Sequence, residues 1–253
     1  EAIKKHLIEN YNYKIEKYKK IEFHALPFPR LEFKDAQINL ITTPLKLNVQ
    51  TLKIYPKLLS IYNNENFQSN KIVLNKSNVI LRTLDLKFIV KEFLSKKNKL
   101  YFNDLNIRFY DETSLLVSLE NIKFTNVGFK KNIIFGNIFG KEFKAKVNES
   151  LNKINFKIYK SGVNVDISLD KNNNKNSING AFKLKILNTN LKFDFIYDKK
   201  SLNIYNSFFR SKNLSFENNN LIIFEPFLDI KSNLKIDDID VEIFNKLKLE
   251  KLL

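Results

Sequence analysis

The stretch "INGAFKLKILNTNLKFDFIYDKKSLNIY", residues 178–205, alternates apolar and polar side chains with a period of two. That period belongs to a strand with one buried and one wet face. A two-residue turn at Asn188-Thr189 sets Ile186 opposite Leu191, Leu184 opposite Phe193 and Phe182 opposite Phe195, all on one side. Lys183 then faces Asp194 on the other. A second turn over residues 198–201 sets Tyr197 opposite Leu202 and Phe195 opposite Ile204.

The same pairing extends outward. A turn around Lys160-Ser161 matches Ile158 with Val163, Phe156 with Val165 and Ile154 with Ile167. One around Asn218-Asn219 matches Phe216 with Leu221 and Leu214 with Ile223. A one-residue slip would send every side chain to the opposite face, so agreement over several hairpins fixes the pattern. From Leu100 onward the chain reads as a long antiparallel meander with one apolar face, interrupted by the Asn/Lys loop "DKNNNKNS" at 170–177.

The strongest helical signal is "TLDLKFIVKEFLSKK", residues 83–97, where Leu86, Ile89, Val90, Phe93 and Leu94 form one stripe. Thr83 or Asp85 caps its start, and Lys96 and Lys97 suit its negative end. Short helices are expected at both termini. One holds Ile3 and Leu7 and yields to strand from Tyr11; the other begins after Asp237 or Asp238 and aligns Val241, Phe244 and Leu247. The fold class is therefore mainly β, a long curved meander forming an open groove or half-barrel. Two regions follow, 1–98 and the meander 99–253. A helix of about 15 residues is roughly 22 Å long and 10–12 Å wide. About seven strands at 4.8 Å spacing make a sheet some 30 Å across. One helix covers roughly a third of that face, so the sheet curls shut, is covered by further sequence, or presents an apolar groove.

Before the meander, "KKIEFHA" and "RLEFKDAQINL" are strands flanking the corner Pro27-Phe28-Pro29, where two prolines interrupt the ladder. Leu31, Phe33 and Ala36 change parity near Lys34-Asp35, which predicts a bulge. "LKLNVQTLKIY" is a further strand, and "YPKLLSIY" a short helical turn begun by Pro56.

Composition narrows the chemistry. The 253 residues include 23 Phe and 10 Tyr but no Cys, Met or Trp, so disulfides, thiolate nucleophiles and Cys-ligated zinc are excluded. The formal charge is +16; the lysines alternate along the strands without an Arg-rich block, as on solvated outer faces. No run of about 20 apolar residues reads as a membrane-spanning helix, and no signal peptide is visible. The missing initiator Met and uncapped C-terminal pattern create the expectation that chain precedes Glu1 and follows Leu253. His6 lies on the first helix and His24 in a strand near the corner, with no carboxylate at ligand spacing in sequence, so neither metal nor cofactor is expected. The segment "GNIFGK" lacks the spacing of a phosphate loop and reads as a strand turn. "DDIDVEI", residues 237–243, lacks the glycine and ligand order of a calcium loop and reads as helix-start acids. No nucleophile elbow accompanies the Ser, His and Asp residues, so an enzyme is not expected.

"YNYKIEKYKKIEF", taken as a short helix, and then "LPFPRLEFKDAQINL" resemble the N-terminal region of the AsmA family of bacterial envelope proteins. Pro27, Pro29, Leu31, Phe33, Asp35 and Ile38 occupy the places of that family's proline corner and following L-x-L-x-D-x-x-L strand. The block "LKLNVQTLKIYPKLLSIYNNENFQSNKIVLNKSNVIL" looks like the next one. The likeness runs from about Ile3 to Leu94 and is architectural beyond. It implies a non-enzymatic protein of outer-membrane biogenesis in a Gram-negative bacterium, placed on the periplasmic side of the inner membrane. The family's membrane anchor would precede Glu1. Larger relatives are thought to carry phospholipid along β-grooves, which implies a phospholipid partner and outer-membrane assembly factors. The candidate groove lining is Phe156, Ile158, Val163, Val165, Phe182, Leu184, Ile186, Leu191, Phe193 and Phe195. Two alternatives stand beside this one: a lipid-free assembly scaffold, and a nucleic-acid-binding β-domain. The strand "NKINFKIYKSG" disfavours the last, since a stacking platform wants aromatics and cations on one face and here they alternate.

Overall fold

The computed structural model describes residues 1–41, 43–60, 67–82, 98–111, 113–150, 152–170, 177–198 and 200–240. The protein is mainly β: sixteen strands among the described residues, laddered in an open order whose two ends do not pair. It divides into two compact units, Glu1–Lys144 and Ala145–Leu253. The 98/99 boundary expected from sequence falls inside the first.

The first unit opens with helix α1, Ala2–Tyr11, ended by Asn12 in the left-handed conformation. Strands β1 (Tyr13–Lys17) and β2 (Lys20–His24) follow, both lying along β3 (Arg30–Leu40). The segment from Tyr11 to Phe23, read as helical through the family resemblance, is thus the last helical residue followed by two strands; the helix lies upstream. Lys14, Glu16, Lys20 and Glu22 alternate with Tyr13, Ile15, Ile21 and Phe23, and a period of two prevails over helix propensity there. The expected bulge is present. Asp35 takes φ 49°, and the buried positions switch from Phe33 to Ala36, Ile38 and Leu40 across it.

Strands β4 (Lys46–Pro56), β5 (Ser69–Arg82), β6 (Leu100–Asp111), β7 (Ser114–Thr125) and β8 (Ile133–Ile138) continue the ladder. The turn expected at "YPKLLSIY" is a single 3-10 turn at Leu58–Ser60, with Pro56 closing β4 instead of opening the turn. Strands β5 and β6 are parallel, the exception to the antiparallel pattern. Parallel neighbours need a crossover of a dozen or more residues. That crossover contains 83–97, so the helix expected there lies outside the described residues. Phe33, Leu52, Leu74, Phe102 and Phe124 are cross-strand partners in one row, each no more than 7% exposed. Leu7 and Tyr11 of α1 join this buried set, and the Tyr11 hydroxyl lies 3.1 Å from Ser69 Oγ. At about 25 cal/mol per Å2, rows of this kind dominate the unit's stability. Gly136 sits within β8, and the turn after β8 forms at Phe139 and Gly140, whose φ are 51° and 72°.

Strand β9, Lys141–Val147, carries the division between the units. The second unit contains β10 (Lys153–Ile158), β11 (Val163–Leu169), β12 (Ser177–Ile186), β13 (Thr189–Asp198), β14 (Ser201–Arg210), β15 (Leu214–Ile223) and β16 (Asp229–Ile239), each antiparallel to the next. The register deduced for β10–β11 holds at all three pairs, as do Tyr197–Leu202 and Phe195–Ile204.

Three expectations are corrected. The β12–β13 turn is at Leu187-Asn188, so Phe182 pairs with Phe193, Leu184 with Leu191 and Lys183 with Lys192. Leu187 accepts φ 51° and lies over Gly162 in the neighbouring turn, which lets the ladder gain the Ile186–Thr189 pair. The shift is two residues, so no side chain changes face. No turn occurs at Asn218-Asn219, since β15 runs straight through them. The chain reverses before it, where Ser211 Oγ accepts from the Asn213 and Leu214 amides. Asp237 and Asp238 belong to β16 and start no helix; Val241, Phe244 and Leu247 lie outside the described residues.

Gly180 is held by its partner. A Cβ there would stand 2.5 Å from the Ser168 carbonyl oxygen and 2.9 Å from the Phe195 ring, its direct cross-strand neighbour. Backbone cannot yield as a side chain can, so Gly180→Ala is expected to cost about 1–3 kcal/mol. A lowered urea midpoint measures it; an unchanged midpoint contradicts the packing.

Candidate functional site

Strand register assembles the predicted lining. Phe156, Val165, Leu184 and Leu191 form one row, continued by Phe209, Phe216 and Ile236. Ile158, Val163 and Ile186 form a second, and Ile154, Ile167, Phe182 and Phe193 a third. Phe195 lies on the same face between Gly180 and Ile204. All ten predicted positions therefore share one surface. Phe182 stacks on Phe193 at 4.8 Å between centroids, and Phe209 on Phe216 at 4.9 Å.

What distinguishes this face is its cover. Nine of the ten are half-buried and Ile186 is exposed, whereas the matching face of the first unit is buried. On β16 the face opens fully, with Ile230, Leu234 and Ile236 between 51% and 60% exposed. Sequence reasoning overlooked this extension through Phe209, Phe216 and β16. The misplaced turn at Asn218-Asn219 hid it, although the period of two in "LDIKSNLKI" carried the signal.

The opposite surface is polar. Lys157, Asn164 and Lys185 form one row there, and Asn155, Asp166, Lys183 and Lys192 another. Asn155 donates to Asn164 Oδ1 and Asp166 Oδ1 at 3.1 and 2.7 Å. A concavity of about 400 Å3 on this unit is lined by Lys146, Lys153, Asn155, Asp166 and Lys183 among others. A bulge at Asn206, φ 50°, turns Tyr205 and Phe208 to this side. Phe208 lies beneath the Arg210 guanidinium at 5.8 Å, and Tyr159 beneath the Lys157 ammonium at 5.9 Å, so aromatics and cations do meet on this side.

In the first unit the sheet brings together charges that sequence spacing keeps apart. His24 Nε2 lies 3.6 Å from Glu22 and 3.9 Å from Glu32, correcting the expectation that no carboxylate stands near it. These three could face one cation. Their oxygens already have partners: Arg30 Nε and Lys34 Nζ donate to Glu32 at 2.7 and 2.6 Å, Lys53 lies 3.4 Å away, and Lys20 is 2.7 Å from Glu22. Four cations around two carboxylates repel a divalent ion and form a closed charge network instead. Burial opposes ionisation of Glu32, but hydrogen bonds from Lys34 and Arg30 and the charge of Lys53 outweigh it and hold its pKa at about 2. His6 is different: burial pushes its pKa down, and its ring accepts from the Ser69 amide at 3.2 Å, so a neutral imidazole ties α1 to β5.

A depressed carboxylate pKa stabilises the fold above the unfolded value and loses that contribution as pH falls through the folded one. For Glu32 the window runs from about pH 4.5 down to 2, worth on the order of 3 kcal/mol. Thermal melts should show this loss in the native chain, and Glu32→Gln should flatten it while lowering stability at neutral pH by about 2–4 kcal/mol. An unaltered acid limb would refute the network.

No helix among the described residues is long and apolar enough to cross a membrane. No family model matches the chain, and no curated protein or solved structure matches it.

Proposed function

We propose that the second unit is a non-enzymatic lipid-binding element that holds acyl chains against the apolar face of its sheet. The observation that carries this is the half-exposed face itself, which no described residue covers: three rows of aliphatic and aromatic side chains, half-exposed on β10–β15 and open on β16. An extended hydrocarbon matches such a surface, since it asks for apolar area along a line and no hydrogen bonds. Ten methylenes at about 0.8 kcal/mol each, half desolvated, gain on the order of 4 kcal/mol. A single chain would therefore bind only at about millimolar strength, and the two chains of a phospholipid at about micromolar, before ordering costs. Affinities in that range suit passage along a surface better than storage.

Placement on the periplasmic side of a bacterial inner membrane, through an anchor before Glu1, rests on the resemblance of the proline corner and β3 to the AsmA family. So do a role in outer-membrane biogenesis and dealings with assembly factors there.

A photo-crosslinking phenylalanine at Phe182 or Phe193, expressed in a Gram-negative host, should yield phospholipid adducts by mass spectrometry. The same group at Lys183 or Lys192, on the opposite face, should yield none. Adducts at neither Phe position, or equally on both faces, would favour the lipid-free scaffold.

A further inference from the structure

One row of residues marks one end of the first unit's sheet: Phe23, Leu31, Ile54, Ile72 and Leu100 are cross-strand partners in succession, and Leu100 exchanges hydrogen bonds with Asn126. Every connection beyond that row emerges from the same end. These are the β2–β3 corner at 25–29, the β4–β5 connection from 57, the residues 98–99 leading into β6, and the β7–β8 turn at 127–131.

Their composition is unlike the rest of the surface. Leu26, Phe28, Leu58, Leu59 and Phe129 sit at the tips, between 66% and 106% exposed. Apolar side chains so completely in water are a cost that folding does not explain. The described residues of these four connections include Lys57, Lys99, Lys130 and Lys131 and no Asp or Glu. At the opposite end, the described residues of the β3–β4, β6–β7 and β8–β9 connections carry no cation, although Phe139 is 76% exposed there. Among the described residues of these connections, greasy tips accompanied by lysines occur at one end only.

We infer that this end of the first unit docks on an anionic lipid bilayer, its five apolar tips entering the headgroup region while the four lysines meet lipid phosphates. Apolar side chains that reach past the headgroups, ringed by Lys, bind with a strength set by buried apolar area and by attraction to anionic lipid. Wedges on three connections of the same end act together, each raising the effective concentration of the next. A protein partner fits the tips less well, because protruding side chains on separate loops need a yielding medium. The interaction is independent of acyl binding by the second unit.

The absence of Trp from the chain supplies the reporter. In the full chain, Phe129→Trp should shift its emission to the blue on adding vesicles of phosphatidylglycerol with phosphatidylcholine, and be quenched by brominated acyl chains. Phe139→Trp at the opposite end should do neither. Sedimentation with the same vesicles should fall at least tenfold when Phe28, Leu59 and Phe129 are changed together to Ser, with the circular dichroism spectrum and total charge unchanged. It should also fall steeply with salt and on vesicles of phosphatidylcholine alone. Binding that survives the triple substitution would reduce the effect to the overall charge of +16 and overturn the proposal. So would no binding at all, whatever protein the loops capture from an extract. Crosslinking at Phe182 reads the acyl site separately, so either proposal can fail alone.

Discussion

Hydrogen bonding along a strand leaves each residue no choice of face: once the ladder is set, odd and even positions part company for its whole length. In this protein that constraint governs everything above it. Over β10–β13 most lysines, asparagines and aspartates take one side of the second unit and Phe156, Val165, Leu184 and Phe193 the other, while across β14 and β15 Phe208 and Leu221 join the polar side and Asn218 and Asn220 the apolar one. Where the count would drift, the chain inserts a correction. Asp35 at φ 49° lets β3 keep Phe33 inside and then Ile38, and Asn206 at φ 50° does the same between Ile204 and Phe209. Asparagine and aspartate tolerate the left-handed region because their short side chains can bond locally, so bulges cost little in a chain rich in Asn.

The same ladder explains which parts could be read from sequence. Pairs near a tight turn follow from parity and distance, and so Ile158–Val163 and Tyr197–Leu202 were legible. The β12–β13 register was two residues out because the turn chose Leu187, a residue with no turn propensity, and the compensating neighbour Gly162 lies in another hairpin. At the β14–β15 reversal the Ser211 hydroxyl makes the turn, while the more turn-like Asn218-Asn219 pair lies in a strand with Asn218 facing Leu234. Parity survived the first error, a shift of two residues, and the candidate face on β10–β13 emerged intact. It did not survive the second, since in the continuous β15 Leu221 pairs with Asn203 and Lys231 on the face opposite Phe216. The cluster of Glu22, His24 and Glu32 had no such signal. It needs the pairing of β2 with β3 to bring Glu22 opposite Glu32, and Lys53 arrives from β4.

Burial did not follow from pattern. Both units carry rows of apolar side chains across neighbouring strands, yet Leu52, Leu74 and Phe102 are buried while Phe182, Leu184 and Phe193 are half-exposed. Periodicity says which side chains share a face and is silent on what lies over that face. The first unit has Leu7 and Tyr11 of α1 among its buried residues; the described part of the second has strands and turns alone.

A half-exposed apolar face must resist collapse onto itself if it is to accept a ligand. Here the aromatics are braced in pairs. Phe182 lies nearly parallel to Phe193, and Phe209 to Phe216, with 19° between planes in each case. Phe195 meets Phe193 edge-on at 6.3 Å and covers Gly180, whose missing side chain makes room for it. Such pairs contribute about 0.5–1.5 kcal/mol beyond their buried area, and they fix ring orientation without needing a layer above. A face built this way has already met the ordering cost that a floppy one would incur on binding. Half-exposed rings held in place by their cross-strand neighbours are thus consistent with a surface prepared for transient apolar guests, and the Gly180–Phe195 pair is where that preparation is most sensitive to a single added methyl group.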